Sequence, residues 1–216
     1  LIVAMSIEGS KTVESTAVRI DLYNISYFAE RINEIYSGLF LLSAEVYAID
    51  RAISRNKDSI NGWTREIDVE FKVPCAAQFQ LFSSDINHML SFLTGDYWSC
   101  SFEESPTIEW CHHEKITDYD EVAQVNLFSR GMDSLIGAID YMEANDEHHK
   151  VFLASHYDSI MKGPKTDQER IIEMFKQKYP GKFVYLPAEG ITPMESKELT
   201  CRSRSFMFLS IAMMIA

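Results

Sequence analysis

The chain has 216 residues, of which 46% are hydrophobic and 12% aromatic, and its formal net charge is −12 at pH 7. This composition is typical of a globular chain and excludes the disordered and fibrous classes. Residues 1–149 carry 10 Lys and Arg against 25 Asp and Glu, whereas residues 150–216 carry 10 against 7. The acidic first region repels phosphate backbones, so direct binding of nucleic acid is not expected, while the second region suits an anionic small molecule.

The two ends of the chain predict a fragment of a longer protein. It opens on Leu1 rather than Met, and the apolar run at 205–216 stops without a Gly or Asn helix cap. That run covers about twelve residues, fewer than the roughly 20 that span a bilayer, and no signal-like leader opens the chain. The four cysteines are widely spaced, which favours reduced thiols. We therefore expect a cytoplasmic protein with no membrane association.

Residues 1–120 mix strand-like alternation with helical spacing of apolar residues, which predicts a mixed α/β domain. Gly95 is a plausible helix stop. The aromatic side chains of this region, including Phe28, Phe79, Phe82 and Phe92, are predicted to lie in the core. The predicted elements are strands at 16–23, 63–73 and 97–102, helices at 38–53 and 79–94, and a turn at 56–62.

Near Asp120 the pattern changes to repeated strand-then-helix units, so we predict a second domain at 121–216. Three such units indicate an α/β fold with a Rossmann-like parallel sheet and helices on both faces, incomplete at its C-terminal end. Sites in such sheets lie at the carboxyl ends of the strands. The predicted strands are 122–128, 151–155 and 182–186, and the helices that follow them are 134–144, 166–179 and 203–216.

One polar loop, Ser129-Arg-Gly-Met-Asp-Ser134, lies directly after the first of these strands and directly before its helix. Such a turn presents backbone N–H groups, and the helix N-terminus adds about half a positive charge, so the position suits phosphate. Ser129 and Ser134 can add hydroxyl donors, and Asp133 can cap the helix or hold a magnesium ion that bridges phosphates. The alternative is an ordinary turn before a capped helix.

The segment Leu127-Phe-Ser-Arg-Gly-Met-Asp-Ser134 resembles the Ser-Gly-Gly-x-Asp-Ser loop of the PP-loop ATP pyrophosphatases. The resemblance implies an adenine nucleotide alpha hydrolase-like fold, ATP and Mg²⁺ as cofactors, and Asp133 as a catalytic residue and metal ligand. Arg130 replaces the first glycine of the family's loop. Its side chain either hinders the approach of pyrophosphate to the backbone or binds the phosphates itself. The ATP-binding residues implied are Ser129, Arg130, Gly131, Met132, Asp133 and Ser134.

A second segment, Cys201-Arg-Ser-Arg-Ser-Phe-Met-Phe-Leu-Ser-Ile-Ala212, is similar to the Arg-Asn-x-x-x-Leu-Ser-x-Ala segment of the 7-cyano-7-deazaguanine synthases, the QueC family, with Ser205 in place of the usual Asn. Arg202 and Arg204 can bind a carboxylate or phosphate through bidentate hydrogen bonds, or belong to a solvated basic turn. The resemblance implies a catalytic role for Arg204 and an ATP-binding role for Arg202. It also implies ATP binding by His156, for which a plain strand-end histidine is the alternative.

Three segments of the first region, Val46-Tyr-Ala-Ile-Asp-Arg51, Gly62-Trp-Thr-Arg-Glu-Ile67 and Leu93-Thr-Gly-Asp-Tyr-Trp98, resemble the amino-terminal extension of QueC-like proteins from bacterial antiphage operons. The resemblance implies an ATP-dependent carbon–nitrogen ligase, which adenylates a 7-deazaguanine carboxylate for attack by ammonia or by an amine of a partner protein from the operon. It also implies a four-cysteine zinc site, which we expect in a part of the protein beyond residue 216. The alternatives are another PP-loop enzyme, either tRNA-modifying or of the amidotransferase type, and a degenerate nucleotide-binding or scaffold subunit.

Overall fold

The computed structural model describes residues 1–22, 26–29, 31–108, 119, 121–129, 131–157, 162–186, 189–199 and 202–216. The chain divides into two compact units, each assembled from three segments: unit one is 1–20, 32–109 and 192–210, and unit two is 21–31, 110–191 and 211–216. Both units are mixed α/β and contain parallel strand pairs. The predicted domain boundary near Asp120 stays a prediction, and Asp120 lies outside the described residues.

The described elements follow the predicted order closely, with some additions. In chain order they are β1 (Ile2–Ser6), β2 (Ser15–Ile20), α1 (Ser26–Ala29), α2 (Glu34–Ala52), α3 (Arg55–Asp58), β3 (Glu66–Val73), α4 (Ala76–Leu81), α5 (Ser83–Thr94), β4 (Tyr97–Glu104), β5 (Val122–Leu127), α6 (Met132–Ala144), β6 (Lys150–Ala154), β7 (His156–Tyr157), α7 (Lys162–Lys178), β8 (Phe183–Val184), β9 (Glu189–Pro193) and α8 (Arg204–Ile215).

Unit one is built around α2, which is buried along nearly its whole length and contacts both β2 and β3. Most residues of the helix are apolar, which explains this burial. Asn33 caps the helix, because its side chain accepts a hydrogen bond from the Ile35 N–H at 3.1 Å. The strands form an antiparallel pair, β1 with β2, and a parallel pair, β3 with β4.

The predicted helix at 79–94 is two helices, because the chain breaks at Phe82. Phe82 is the N-cap of α5, and no side chain caps that helix, although Ser83, Ser84 and Asp85 are of the residue types that commonly cap helices. Gly95 ends α5 in the left-handed conformation, with φ of 77°, as predicted. Phe79 is buried, but Phe82 and Phe92 are 59% and 89% exposed, so their assignment to the core is also wrong.

Unit two contains a three-stranded parallel sheet in the order β5-β6-β8, which confirms the predicted parallel strands. The central strand β6 is buried at Val151–Ala154, as expected for a parallel strand covered on both faces. Helices α6 and α7 pack together in one core cluster with Val151 and Leu153. Phe152 points to the other face, where its ring lies 5.6 Å from the ring of Phe28 in α1 and 6.3 Å from that of Tyr119.

Helices on both faces of the sheet stay a prediction for unit two. Both long helices that follow strands, α6 and α7, join the same core cluster, and an aromatic group covers Phe152. The short strands β7 and β9 pair in parallel through His156 with Glu189 and Tyr157 with Gly190, a pairing absent from the prediction. None of the helices in the described part of the chain combines the length and the hydrophobicity that crossing a bilayer requires.

Candidate functional site

The candidate loop of residues 129–134 connects the carboxyl end of β5 to the amino end of α6. Gly131 is the N-cap of α6, with φ of −68° and ψ of 157°, and no side chain caps the first turn. The first helical hydrogen bond runs from the Leu135 N–H to the Gly131 carbonyl, at 3.0 Å. Asp133 therefore lies inside the first turn and is not the cap, which removes one of its two predicted roles. Arg130 lies outside the described residues.

Two hydroxyl groups organise the loop around Gly131. The Ser134 hydroxyl donates to the Gly131 carbonyl at 2.9 Å, and the Ser129 hydroxyl donates to Ser134 Oγ at 3.3 Å. The Gly131 N–H also points to Ser129 Oγ, at 3.4 Å. The two predicted hydroxyl donors of the loop are thus brought together, on either side of the helix N-cap.

The outer side of the loop is open to solvent. Gly131 and Asp133 are exposed, and Met132 is 75% exposed. The backbone angles of Gly131 are ordinary for any residue, and a Cβ there would meet Ser129 Oγ at a normal contact distance of 3.4 Å. Neither backbone conformation nor packing against the described residues therefore requires glycine at position 131. What the absent side chain does provide is access to the backbone from the solvent side.

A buried glutamine, Gln168 of α7, holds the main chain behind the loop. Its amide nitrogen lies 3.3 Å from the carbonyl oxygen of Phe128 and 3.5 Å from that of His156. Gln168 was not predicted from the sequence, because it belongs to no motif. A single polar residue within a predicted helix gives no sign of a special role. Only its burial, at 0% exposure, distinguishes it from Gln177, the exposed glutamine of the same helix.

His156 is the first residue of β7 and is fully buried. Its ring nitrogen Nε2 lies 3.3 Å from the carbonyl oxygen of Ile191, and its own carbonyl accepts from Gln168. The structure thus connects the His156 main chain to the start of the loop through Gln168. Its predicted contact with ATP stays a prediction.

Arg202 and Arg204 lie in unit one, at the start of α8, whereas the loop lies in unit two. The Arg202 guanidinium donates to the Thr94 carbonyl at 2.8 Å and stacks 4.4 Å from the ring centroid of Trp63. The Arg204 guanidinium lies 5.1 Å from the ring centroid of Phe208. Arg202 is therefore engaged with the protein itself, and the anion-binding role of both arginines stays a prediction.

A buried charge cluster in unit one brings together residues from the segments at 46–51, 62–67, 93–98 and 201–212. Asp50, Arg65, Asp96 and Ser203 each come from a different one of those segments, and Arg55 joins them. Arg65 Nη2 lies 2.5 Å from Asp50 Oδ1 and 2.6 Å from Asp96 Oδ2. The Ser203 hydroxyl donates to Asp50 Oδ2 at 2.8 Å. The contacts among these residues were not predicted, because ion pairs between residues far apart in the chain produce no local sequence pattern.

The cluster shifts the pKa of two of its members, Asp96 and Arg65. Burial alone would raise the pKa of the Asp96 carboxyl, but hydrogen bonds from Arg65 and the charges of Arg65 and Arg55 outweigh burial and lower that pKa. The same pairing raises the pKa of Arg65 against the opposing effect of its own burial. All the charges of the cluster are thus compensated internally, so the cluster holds the fold of unit one together.

Among the described residues, no group of three or more His, Cys, Asp or Glu side chains is arranged to hold a metal ion. Cys75 and Cys100 are free thiols, while Cys111 and Cys201 lie outside the described part. A single exposed carboxylate such as Asp133 fits Mg²⁺, because this ion usually binds through one or two protein carboxylates together with substrate phosphates and water.

Comparisons of the chain with protein-family models, with curated proteins and with solved structures returned no match. What can be proposed about function therefore rests on the geometry of the loop and on the sequence segments at 127–134 and 201–212.

Proposed function

We propose that the loop at residues 129–134 binds the phosphates of ATP, within a Rossmann-like sheet of the adenine nucleotide alpha hydrolase type. The observation that supports this most is the place of the loop, a polar turn between the carboxyl end of a parallel strand and the uncapped start of a 13-residue helix. The free amides of that first turn and the helix dipole favour an anion. Gly131 leaves room for phosphate to approach the main chain.

Each described loop residue has a role in this proposal. The Ser129 hydroxyl now donates to Ser134, and the Ser134 hydroxyl donates to the Gly131 carbonyl; both can turn toward phosphate oxygens without moving the backbone. Asp133 would hold Mg²⁺, which neutralises phosphate charge when bound. The exposed Met132 would lie against the nucleotide. These groups would bind and orient ATP rather than react with it.

We further propose that the enzyme is an ATP-dependent carbon–nitrogen ligase of the QueC-like type, acting in antiphage defence. A 7-deazaguanine carboxylate would attack the α-phosphorus of ATP, releasing pyrophosphate. An amine, from ammonia or from a partner protein, would then attack the acyl carbon and release AMP. His156, Arg202 and Arg204 keep their proposed ligand roles. This reaction rests on the resemblance of the segments at 127–134 and 201–212.

The direct test is release of pyrophosphate and AMP when the protein is incubated with ATP, Mg²⁺, an amine and 7-carboxy-7-deazaguanine. Asp133→Ala should abolish the release. Asp140→Ala is the matched control, because Asp140 is an exposed carboxylate two turns along the same helix. Undiminished activity in the Asp133 variant would refute the assignment.

A degenerate nucleotide-binding or scaffold subunit is the second candidate, and Arg130 in place of glycine is the observation that favours it. Calorimetric titration with ATP and Mg²⁺ separates the two, because a scaffold that lost the site should release no heat. Arg130→Gly then decides the role of the arginine. Lost turnover would make Arg130 a pyrophosphate ligand, and gained affinity for ATP would make it an obstruction. Another PP-loop enzyme would release pyrophosphate only with a different acceptor substrate.

A further inference from the structure

The main chain that leads into the loop is held at one residue, Phe128. Its N–H donates to the Ala154 carbonyl at 2.7 Å, and its carbonyl accepts from the amide of Gln168. Its ring is fully buried in the core of unit two. Phe128 directly precedes Ser129, so the direction in which the loop leaves the sheet depends on these two hydrogen bonds.

The Gln168 amide can take only one orientation. Its nitrogen is within 3.5 Å of two carbonyl oxygens, those of Phe128 and His156, and each can accept one of the two amide hydrogens. The flipped amide would place its own oxygen against both carbonyls. In the observed orientation Oε1 is buried and has no hydrogen-bond partner among the described residues.

A buried acceptor without a partner costs stability, so an apolar side chain of the same shape would serve packing better than Gln168 does. What a glutamine adds is a double donor that joins the start of the loop to β7. Phosphate-binding donors are effective only when they are held in position within a fraction of an ångström. An apolar residue at position 168 could not hold the Phe128 carbonyl by a hydrogen bond, as Gln168 does.

We propose that Gln168 is a positioning residue, which sets the conformation of the loop by joining the carbonyls of Phe128 and His156. The inference rests on the proposed ATP-binding function of that loop. Gln168 itself is fully buried, so it acts through the main chain and would not touch the nucleotide.

The test replaces Gln168 by Met, which keeps the length of the side chain and removes the donors. Two quantities are measured well below the unfolding temperature: the Kd for ATP with Mg²⁺ by calorimetry, and hydrogen exchange of the backbone at 128–134. We expect Kd to rise about tenfold and exchange in the loop to accelerate. If Gln168→Met does not fold, Gln168→Glu retains the shape and replaces the amide donor.

Two control variants lie on the same helix. Gln177→Met makes the same change at an exposed position and should alter neither quantity. Ile172→Val removes a methylene group from the core beneath α7 and should lower stability without changing Kd. An equal rise in Kd for Ile172→Val would mean that Gln168 acts only through stability, which overturns the inference.

The remaining outcomes are also decisive. Unchanged Kd together with unchanged loop exchange in Gln168→Met overturns the positioning role. If the unmodified protein binds no ATP, the proposed function fails, and the exchange measurement alone then decides Gln168: faster exchange confined to 128–134 supports its role in holding the loop, and no change refutes it.

Discussion

Close packing requires glycine at Gly38 but not at Gly137, although both lie within helices. A Cβ on Gly38 of α2 would lie 2.7 Å from the Pro74 carbonyl oxygen and 2.8 Å from Phe79 Cε2, whereas a Cβ on Gly137 of α6 would meet nothing within 4 Å. Gly38→Ala should therefore destabilise unit one by about 1–3 kcal/mol through overpacking. Gly137→Ala, its control, should stabilise by about 0.5–1 kcal/mol through helix propensity. Urea unfolding measures both, and stabilisation by both changes would contradict the close approach at Gly38.

Asp96 compensates two buried guanidinium groups, those of Arg55 and Arg65. Asp96→Ala should lower the free energy of unfolding by about 3–5 kcal/mol, because it leaves one carboxylate of the cluster, that of Asp50, to compensate two buried guanidinium groups. Glu103→Ala, which removes an exposed carboxylate of the strand that follows, β4, is the control and should change little. Equal effects of the two substitutions in urea unfolding would mean that the cluster adds nothing to stability.

Because of Asp96, the free energy of unfolding is also expected to depend on pH in the acid range. The pKa of Asp96 is lowered in the folded state from an ordinary value of 3.8, so its contribution to stability is present above that value and is lost as the pH falls through the lower folded pKa. Unfolding followed between pH 5 and pH 2 should show this loss in the unmodified protein. Asp96→Ala should show a smaller loss over the same range.

At the scale of the element, helix α2 carries a carboxyl group where its neighbours are apolar. Glu45 is 4% exposed, and burial raises its pKa from 4.5 to about 8. The folded state keeps the proton up to about pH 8, while the unfolded chain releases it near pH 4.5. The free energy of unfolding should therefore fall as the pH rises between these values, by at most about 1.4 kcal/mol per pH unit.

Glu45→Gln tests this property of α2, because an amide cannot ionise. The stability of the variant relative to the unmodified protein should increase steadily from pH 5 to pH 8 in urea unfolding. Glu66→Gln, at an exposed position on β3, is the control and should give a profile parallel to that of the unmodified protein. A parallel profile for Glu45→Gln as well would show that Glu45 has the same proton affinity folded and unfolded.

At the scale of the whole molecule, unit one needs a late segment of the chain. Residues 192–210 supply Ser203, which bonds to buried Asp50, and Ser210, whose hydroxyl lies 2.6 Å from that of Ser43. A chain that ends at residue 191 should therefore lose cooperative unfolding of unit one, since Asp50 would lose a hydrogen-bond partner and part of the core would be uncovered. A protease-resistant core at 32–109 in that shortened chain would contradict this dependence.

Local pattern predicted much of this protein, and the exceptions have physical causes. Alternation and helical spacing located β5, α6, β6 and α7 because these elements have regular apolar faces. The same spacing placed Phe82 and Phe92 wrongly in the core, since it shows that a helix has an apolar face but does not show which apolar residues find a partner. The short strands β7 and β9 were missed because two to five residues, including Gly and Pro, carry too little pattern.

The sequence by itself determined the candidate loop: its residues, its place between a strand and a helix, and the residue types on which the proposal of anion binding rests. The tertiary structure decided what surrounds it. Asp133 proved to lie inside the first turn because Gly131 takes the cap, and Gln168 proved to hold Phe128 because α7 packs against Phe128 in the core of unit two. Such contacts join residues 40 positions apart, and no local pattern encodes them.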